Sequence, residues 1–542
     1  MSDQKQNQTD QDKLLEELEE VYETDYELGQ DNVTWMGLDL HNPVFVVSAV
    51  LILLFVILSL IFPEQSNSML GSTRVWIGEN FDWLFLSAGN FFVLFCLILI
   101  VLPVGSIRLG GDEAKPEFSI MSWFAMLFAA GMGIGLMFWS VAEPVGYFTE
   151  WFGTPLGIAG GTEESKTAAL GATMYHWGLH PWAIYGVVAL SLAFFSYNKG
   201  LPLTIRSCFY PLLGDRVWGW MGDVIDTLAV LATIFGLATS LGLGAQQAAG
   251  GIDFLFGIPS GLLSQTLIIA GVTTVALISV LRGIEGGVKL LSNLNMLLAL
   301  ALLMFVMFAG GLLAFAGNLG QTVSGYAQYV LPLSNPVGRE DDVFYHSWTI
   351  FFWAWWIAWS PFVGMFIARV SYGRTVREFL TAVLIVPVVV STVWMSAFGG
   401  SGVDQAREGI GALGAEGITD SSLALFQMLQ SMPMTSITSF LAIVLVLVFF
   451  VTSSDSGSLV IDSITSGGKI DAPVPQRVFW VMAEGLIAAV LLAVGGAAAL
   501  NALQAGSVST GLPFAIVLLL MCVSLIKGLT HERKLLSLQG KR

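Results

Sequence analysis

The residues of this sequence whose types and spacing most clearly suggest chemistry lie at 347–369, SWTIFFWAWWIAWSPFVGMFIAR, a stretch with five tryptophans. Trp353, Trp356 and, less closely, Trp359 recur at helical spacing, so their indoles can share one face of a helix. Such a face attracts a cation without needing a hydrogen bond, which suits quaternary ammonium or sulfonium groups because they offer no N–H donor. The alternative is that these tryptophans anchor a helix at a membrane interface or fill an apolar core.

A second aromatic face is predicted in residues 176–185, HWGLHPWAIY. Trp177, Trp182 and Tyr185 are spaced so that all three rings lie near one side of a helix. Two aromatic walls far apart in sequence are better explained by a cage for a cation than by interfacial anchoring. His176 and His180 flank this wall, and we interpret them as hydrogen-bonded core residues because that is the commoner role of a membrane histidine.

Three glycines interrupt the apolar run FAAGMGIGLMF, at positions Gly131, Gly133 and Gly135. Inside a membrane such a break frees backbone groups, which is tolerated only where the break is buried or lines a cavity. Interrupted helices whose ends offer N–H groups to an anion and carbonyls to a sodium ion are typical of secondary transporters. Close packing of helices through small residues is the alternative interpretation.

Two hydroxyls, those of Thr452 and Ser453, lie within the apolar run around FFVTSS. Hard oxygen ligands of this kind suit a small cation such as sodium. The alternative is that the hydroxyls bond back to carbonyls of their own helix. We find no nucleophile paired with a base, so the sequence predicts that the protein is not an enzyme.

Composition excludes a soluble domain, because 55% of the 542 residues are hydrophobic and only 12% are charged. Apolar runs of roughly 20 residues, long enough to cross a bilayer, recur along the chain. The sequence therefore predicts an all-α membrane protein with twelve transmembrane helices. Spans one to twelve are expected at residues 43–62, 81–104, 119–141, 168–196, 222–247, 260–281, 290–316, 347–368, 376–398, 437–460, 476–498 and 506–527.

The distribution of lysine and arginine predicts that both termini are cytoplasmic, because only four of the 23 would then lie outside. These four are Arg74, Lys166, Arg339 and Arg407. Residues 1–42 hold twelve acids and two lysines and are expected to form an acidic, disordered cytoplasmic tail. Residues 43–527 would form the transporter domain, and 528–542 a short basic cytoplasmic tail. The three cysteines suggest neither a disulfide nor a metal site.

Several motifs together resemble the betaine/choline/carnitine transporter family over about residues 40–530: GMGIGLMFWSVAEP, HWGLHPWAIY, FGLATSLGLG, the tryptophan-rich stretch and VTSSDSGS. The resemblance implies a leucine-transporter-like fold with two inverted five-helix repeats, spans 3–7 and 8–12, preceded by two further helices. It also implies a homotrimer, and an interfacial helix connecting spans seven and eight at residues 319–335.

The same resemblance implies roles for individual residues. The aromatic box around a trimethylammonium group matches Trp177, Trp182, Tyr185 and Trp356. Aromatic residues along the substrate path match Trp355, Trp359, Phe351 and Phe362. A sodium ion would be bound by Thr452 and Ser453 with the carbonyls of Ala129, Met132 and Phe449, and with Met296 nearby. A second family sodium site would use Thr233, but its partner threonine is replaced here by Leu237, which puts the second ion in doubt.

Gly135 bears on the choice between a zwitterion and choline. Choline-carrying members of the family tend to have aspartate at the matching position, where it would act as the counter-ion of a cation that lacks a carboxylate. A betaine would bring its own carboxylate toward that aspartate, and like charges in a low-dielectric site repel strongly. Glycine therefore favours a zwitterionic substrate, unless Gly135 serves only for packing or for breaking the helix.

The sequence thus predicts a sodium-coupled symporter that takes up a betaine-like osmolyte by alternating access across the cytoplasmic (inner) membrane of a bacterium. We expect sodium as the coupling ion, no other cofactor, the lipid bilayer as surroundings, and no nucleic-acid partner. Proton-coupled choline uptake and sodium-independent exchange of carnitine for its precursor remain alternatives within the class. An ion channel is the alternative of another class, but a channel predicts charged rings or carbonyl filters rather than an aromatic box.

Overall fold

The computed structural model describes residues 21–131, 133–282, 285–469 and 471–540, together with Lys13, Leu15, Glu17, Leu18 and Glu20. Most of these residues are helical, and a short antiparallel hairpin precedes the first long helix. The strands are β1 Asn32–Trp35 and β2 Leu38–His41. The helices are α1 Val44–Ile61, α2 Pro63–Asn80, α3 Asp82–Val101, α4 Ile120–Gly131, α5 Ile134–Phe148, α6 Glu163–Trp177, α7 Leu179–Tyr197, α8 Tyr210–Leu213, α9 Trp220–Phe256, α10 Leu262–Arg282, α11 Glu285–Ala309, α12 Leu312–Leu333, α13 Asp342–Phe344, α14 Ile350–Arg369, α15 Val376–Glu408, α16 Gly411–Glu416, α17 Ala424–Gln430, α18 Thr435–Thr465, α19 Val474–Gly495 and α20 Ala499–Leu538.

Within the described part of the chain, ten helices are long and apolar enough to cross a membrane. This number differs from the twelve predicted spans for two reasons. The third predicted span is divided into α4 and α5, of 12 and 15 residues, and neither half alone is long enough to cross. The stretch Val474–Leu538 counts as one candidate, although a short turn at Gly496–Ala498 separates α19 from α20.

Predicted span seven ends seven residues earlier than the sequence suggested, at Ala309 instead of residue 316. Helix α11 ends at Ala309, and Gly311 takes a left-handed φ of 91° that lets the chain turn into α12. The residues after 309 that were assigned to the span therefore belong to the turn and the connecting helix. The connecting helix expected at 319–335 is present as α12, Leu312–Leu333.

The acidic tail predicted for residues 1–42 is ordered at its end, where β1 and β2 pair from Asn32 with His41 to Trp35 with Leu38. Their two-residue turn has positive φ at Met36 and Gly37, the geometry favoured in tight hairpins. The side-chain ammonium of Lys469 lies 2.5 Å from a carboxylate oxygen of Asp39 on this hairpin. The structure thus differs from the predicted disorder over residues 32–41, because the hairpin has partners in the loop after α18.

The C-terminal helix also extends beyond its predicted span. Helix α20 continues to Leu538, so the described part of the short tail expected at 528–542 continues the same helix as far as that residue.

Four helices position the candidate site. Helices α6 and α7 together occupy predicted span four, with Gly178 between them. Helix α14 packs against α7, and α5 packs against α6. A capping box at Thr162 fixes the start of α6, where the side chains of Thr162 and Ser165 bond each other's backbone N–H groups. The site therefore lies where two interrupted spans meet the tryptophan-rich helix.

Candidate substrate site

Four aromatic rings from three helices form a connected wall. The Trp177 ring centroid lies 4.9 Å from that of Trp356, with the planes at 75°. Trp356 lies 6.3 Å from Tyr185 at 82°, and Tyr185 lies 5.4 Å from Trp182 at the same angle. All four side chains are buried. Since neighbouring rings stand almost at right angles, they can present several negative faces toward a shared space.

These rings enclose a cavity of about 40 Å³. The structure therefore brings together the two aromatic walls that the sequence predicted separately. The lining also includes two of the three predicted glycines and one hydroxyl that we did not predict, that of Ser391 on α15. The full lining consists of Gly133, Gly135, Leu136, Trp177, Pro181, Trp182, Tyr185, Trp355, Trp356, Trp359 and Ser391.

The predicted break in span three is present beside the cavity. Helix α4 ends at Gly131, Gly133 is extended with φ −170° and ψ −176°, and α5 begins at Ile134. The first N–H groups of α5 have no partner within their own helix, and the helix dipole favours an anion at this end. Because Gly133 and Gly135 line the cavity, the anion-attracting end of α5 lies at the aromatic cage.

Gly135 is closely approached by two indoles. A Cβ atom there would lie 2.6 Å from Cη2 of Trp355 and 3.1 Å from Cη2 of Trp177. The smaller of these separations is shorter than carbon atoms tolerate, so any larger residue would displace Trp355. Packing against the tryptophans is therefore one role of this glycine.

The predicted path aromatics continue the wall along one face of α14. Phe351 stacks on Trp355 at 5.5 Å and 13°, and Trp355 stacks on Trp356 at 4.8 Å and 17°. Trp359 follows one turn later and contacts Phe362 at 5.4 Å and 82°. Trp359 and Phe362 are half-buried, whereas the preceding rings are buried. The row thus leads from the closed cage toward a less enclosed region.

Glu143 is a buried acidic residue that was not predicted to belong to the site, and it is hydrogen-bonded to the cage. Oε2 of Glu143 accepts a 2.7 Å hydrogen bond from Nε1 of Trp177. Its Oε1 lies 2.6 Å from Nδ1 of His176 and accepts a 3.2 Å bond from the hydroxyl of Tyr147. Glu143 has no exposed surface. An acidic residue directly after an apolar run, two residues beyond the third predicted span, was the signal that could have identified this position.

His176 is a structural link rather than a lining residue. Its Nε2 lies 3.0 Å from the hydroxyl of Thr349, just before α14. Its backbone carbonyl accepts a 2.9 Å bond from Nε1 of Trp356. His180 is likewise buried, 3.1 Å from the side-chain oxygen of Asn90. Both histidines therefore fit the predicted role of hydrogen-bonded core residues.

The candidate sodium ligands lie on α4 and α18. Thr452, Ser453 and Phe449 belong to α18, and Ala129 belongs to α4, whereas Met132 lies outside the described residues. The hydroxyl of Thr452 donates to the carbonyls of Val448 and Phe449, at 3.0 and 3.2 Å. This is the back-bonding that the sequence left open as an alternative, although the hydroxyl oxygen keeps lone pairs with which it could bind a cation.

The position expected to complete a second sodium site holds an apolar side chain that packs against a neighbouring helix. Thr233 is buried on α9, and its hydroxyl donates a 2.7 Å bond to the carbonyl of Ala229. Leu237, one turn later, packs its side chain closely against Gly457 of α18. An apolar side chain in that place contributes no oxygen ligand to a second sodium ion.

Comparison with known proteins identifies one family of transporters. A sequence model of the betaine/carnitine/choline family of transporters matches residues 43–534. A glycine betaine transporter of Vibrio parahaemolyticus is 62% identical over 515 residues, covering 94% of this chain and 98% of that protein. A glycine betaine/proline/choline/ectoine transporter of the same species is 60% identical over 510 residues, covering 94% and 91%.

More distant relatives extend the comparison. The glycine betaine transporter OpuD of Bacillus subtilis is 43% identical over 482 residues, covering 88% of this chain and 92% of that one. Among solved structures, a manganese transporter of Eremococcus coleocola aligns over 76% of this chain and 83% of its own, at 15% identity and a TM-score of 0.42, a likeness too weak to bear on the fold. The family match spans the cage, the helix break and the tryptophan-rich helix. This chain belongs to the betaine/carnitine/choline family of multi-pass membrane transporters and is not an enzyme.

Proposed function

We propose that this protein takes up a betaine-like zwitterionic osmolyte, driven by sodium, through alternating access. The observation that carries the proposal is the convergence of the aromatic cage and the N-terminal end of α5 on one cavity. The cage suits a quaternary ammonium or sulfonium head, and the helix end suits a carboxylate. A zwitterion of this kind presents both groups a few bonds apart. Glycine betaine is the first candidate, because the relatives at 62% and 43% identity carry its name.

The substrate would lie with its cationic head among Trp177, Trp182, Tyr185 and Trp356. Its carboxylate would meet the backbone N–H groups from Gly131 to Gly135, of which Gly133 and Gly135 line the cavity. Trp355, Trp359, Phe351 and Phe362 would line the path that leads to the cage. Glu143 would not touch the substrate, but would hold the indole of Trp177 in place through its 2.7 Å hydrogen bond.

Sodium coupling is proposed from the donors that the family resemblance assigns to α18 and α4. Thr452 and Ser453 would supply hydroxyl oxygens, and Ala129, Met132 and Phe449 would supply carbonyl oxygens. These are hard ligands of the kind that sodium takes in interrupted-helix transporters. Because Leu237 occupies the companion position of Thr233, we propose a single sodium ion at this site and none at the second.

The proposed arrangement in the membrane has twelve spans, two inverted repeats and both termini in the cytoplasm, within a homotrimer in a bacterial inner membrane. The orientation rests on the distribution of lysine and arginine, because only four of the 23 would then lie outside.

Labelled-substrate uptake into cells that lack their own osmolyte transporters tests this proposal. The panel would include glycine betaine, proline betaine, carnitine, ectoine, a dimethylsulfonium zwitterion and choline, each measured in sodium and in potassium buffer. We expect saturable, sodium-dependent uptake of at least one betaine. Uptake of choline alone would favour the alternative substrate, which one relative at 60% identity also carries in its name. Equal uptake in potassium would contradict sodium coupling.

A further inference from the structure

The interruption of span four at Gly178 leaves backbone groups on both sides without a partner in their own helix. Helix α6 ends at Trp177 and α7 begins at Leu179, so one residue separates the two halves. Every such end exposes carbonyls of the first half and N–H groups of the second. In a membrane interior these groups must find partners in neighbouring elements.

The partners of this break come from two helices. The carbonyl of His176 accepts a 2.9 Å bond from Nε1 of Trp356, which belongs to the cage. The N–H of Leu179 donates a 3.0 Å bond to the hydroxyl of Tyr326, on the connecting helix α12. One side of the break is thus held by a cage residue, and the other side is held by a tyrosine outside the cage.

The contact between α12 and span four is built for close approach. A Cβ atom on Gly178 would lie 2.8 Å from the hydroxyl oxygen of Tyr326 and 2.5 Å from the carbonyl oxygen of Met174. Two turns earlier, a Cβ atom on Gly171 would lie 2.6 Å from the carbonyl carbon and oxygen of Gly325. The two backbones therefore pack directly on each other where Gly171 meets Gly325, and the hydroxyl of Tyr326 reaches the break.

We propose that Tyr326 is a positioning residue for the aromatic cage: by accepting the N–H of Leu179 it fixes the break in span four, and so fixes Trp177 on one side relative to Trp182 and Tyr185 on the other. The inference rests on the proposed function, because the cage is taken as the place where the cationic head binds. It assigns to the connecting helix a part in substrate affinity. Tyr326 is absent from the cavity lining, so it acts through the backbone of span four and not by contact with substrate.

Without the hydroxyl of Tyr326, the N–H of Leu179 in the first turn of α7 would lose its hydrogen-bond acceptor. The angle between α6 and α7 would then vary, and with it the distance of Trp177 from Trp182 and Tyr185. Affinity for the cationic head would fall, because the attraction depends on ring faces held at a set distance from the cation. The rate of transport at saturation would change little, because all four cage rings are still present and only their spacing varies.

The test compares Tyr326→Phe with Tyr329→Phe, which removes a hydroxyl from a buried tyrosine of the same helix one turn later. We expect Tyr326→Phe to raise the apparent KM for glycine betaine by about three- to tenfold, which corresponds to the net contribution of one hydrogen bond. Vmax per transporter should stay near the wild-type value, and Tyr329→Phe should leave KM unchanged. Hydrogen–deuterium exchange of purified protein supplies a second readout, with faster exchange expected at residues 178–182 in Tyr326→Phe only.

A Tyr326→Phe variant with wild-type KM and wild-type exchange would overturn the proposal, as would an equal rise in KM in Tyr329→Phe. A fall in Vmax or in protein amount with unchanged KM would also contradict it, since that is the result of a merely structural role. A wild type without betaine uptake would contradict the proposed function instead. The exchange measurement would still decide whether Tyr326 fixes the break, because it needs no substrate.

Discussion

The indole N–H of Trp177 donates a 2.7 Å hydrogen bond to Oε2 of Glu143, a carboxylate with no exposed surface. This bond joins a cage residue on α6 to α5, the helix whose beginning forms the break in span three. The same carboxylate is 2.6 Å from Nδ1 of His176, whose carbonyl in turn holds Trp356. A single buried acid therefore orients two walls of the cage.

From this relationship we predict that Glu143→Gln weakens substrate binding without abolishing transport. Glutamine keeps one carbonyl oxygen and carries an NH2 group in place of the other, so it cannot reproduce the contacts of both carboxyl oxygens with Trp177, His176 and Tyr147. Leaving a buried polar group without its partner costs about 1–3 kcal/mol, so we expect the apparent KM for betaine to rise at least about fivefold. Initial uptake rates across substrate concentrations, normalised to the amount of transporter, give this value.

A double-mutant cycle identifies the route of the effect. Trp177→Phe keeps an aromatic face but removes the donor, so adding Glu143→Gln to it should cost less than Glu143→Gln costs alone. Fully additive effects on log KM would mean that Glu143 acts independently of Trp177.

Removing cage rings should raise KM selectively. Trp356→Leu and Trp177→Leu each delete a ring worth about 0.5–2 kcal/mol to a bound cation. That range corresponds to a roughly 2- to 30-fold increase in KM. Trp394→Leu is the matched control, because Trp394 is equally buried but does not line the cavity. If KM in both cage variants equals that of the control, these rings do not bind the substrate.

The sodium site can be separated from ordinary back-bonding. Replacement of Thr452 and Ser453 by alanine should shift the sodium dependence of uptake to higher concentration or abolish it, because two oxygen ligands are lost. Thr438→Ala is the control, since the hydroxyl of Thr438 on the same helix bonds back to the carbonyl of Met434 in a similar way. Sodium activation curves of the two variants and the wild type provide the comparison. Identical curves for all three would assign Thr452 and Ser453 to helix structure alone.

Substrate choice is predicted to depend on Gly135. Gly135→Asp should favour choline over glycine betaine, because the new carboxylate would attract choline's lone positive charge and repel the carboxylate of a betaine. Since any Cβ atom here approaches Trp355 to 2.6 Å, Gly135→Ala is needed to isolate the steric contribution. The measured quantity is the ratio of choline to betaine uptake. A ratio no higher in Gly135→Asp than in Gly135→Ala would contradict the electrostatic explanation, and a wild type that carries choline as well as betaine would overturn the assignment.

The sequence predicted those parts of the site that depend on local periodicity. Helical spacing placed Trp177, Trp182 and Tyr185 on one face, and clustered glycines marked the break in span three. The isolated Gly178 gave no comparable signal, because a single glycine within a helical pattern is usually tolerated. Partners distant in sequence were also out of reach: Glu143 lies 34 residues from Trp177, and Tyr326 lies 147 residues from Leu179.

The order of residues 32–41 escaped prediction for a related reason. An acidic, polar segment lacks the apolar residues needed for a core of its own, so composition indicated disorder. Its hairpin is instead held by other parts of the chain, including a 2.9 Å bond from the side-chain amide of Asn32 to the carbonyl of Ser466. Contacts across more than 400 residues leave no periodic pattern in the sequence.

Uptake of labelled glycine betaine by purified protein in proteoliposomes, with an imposed inward sodium gradient, tests the central claim most directly. We predict transient accumulation above the equilibrium level that depends on the sodium gradient and is lost in the combined Thr452→Ala and Ser453→Ala variant. A potassium gradient should give no accumulation. Accumulation that is equal in sodium and potassium, or no betaine uptake by wild-type protein that is correctly inserted, would contradict the proposed function.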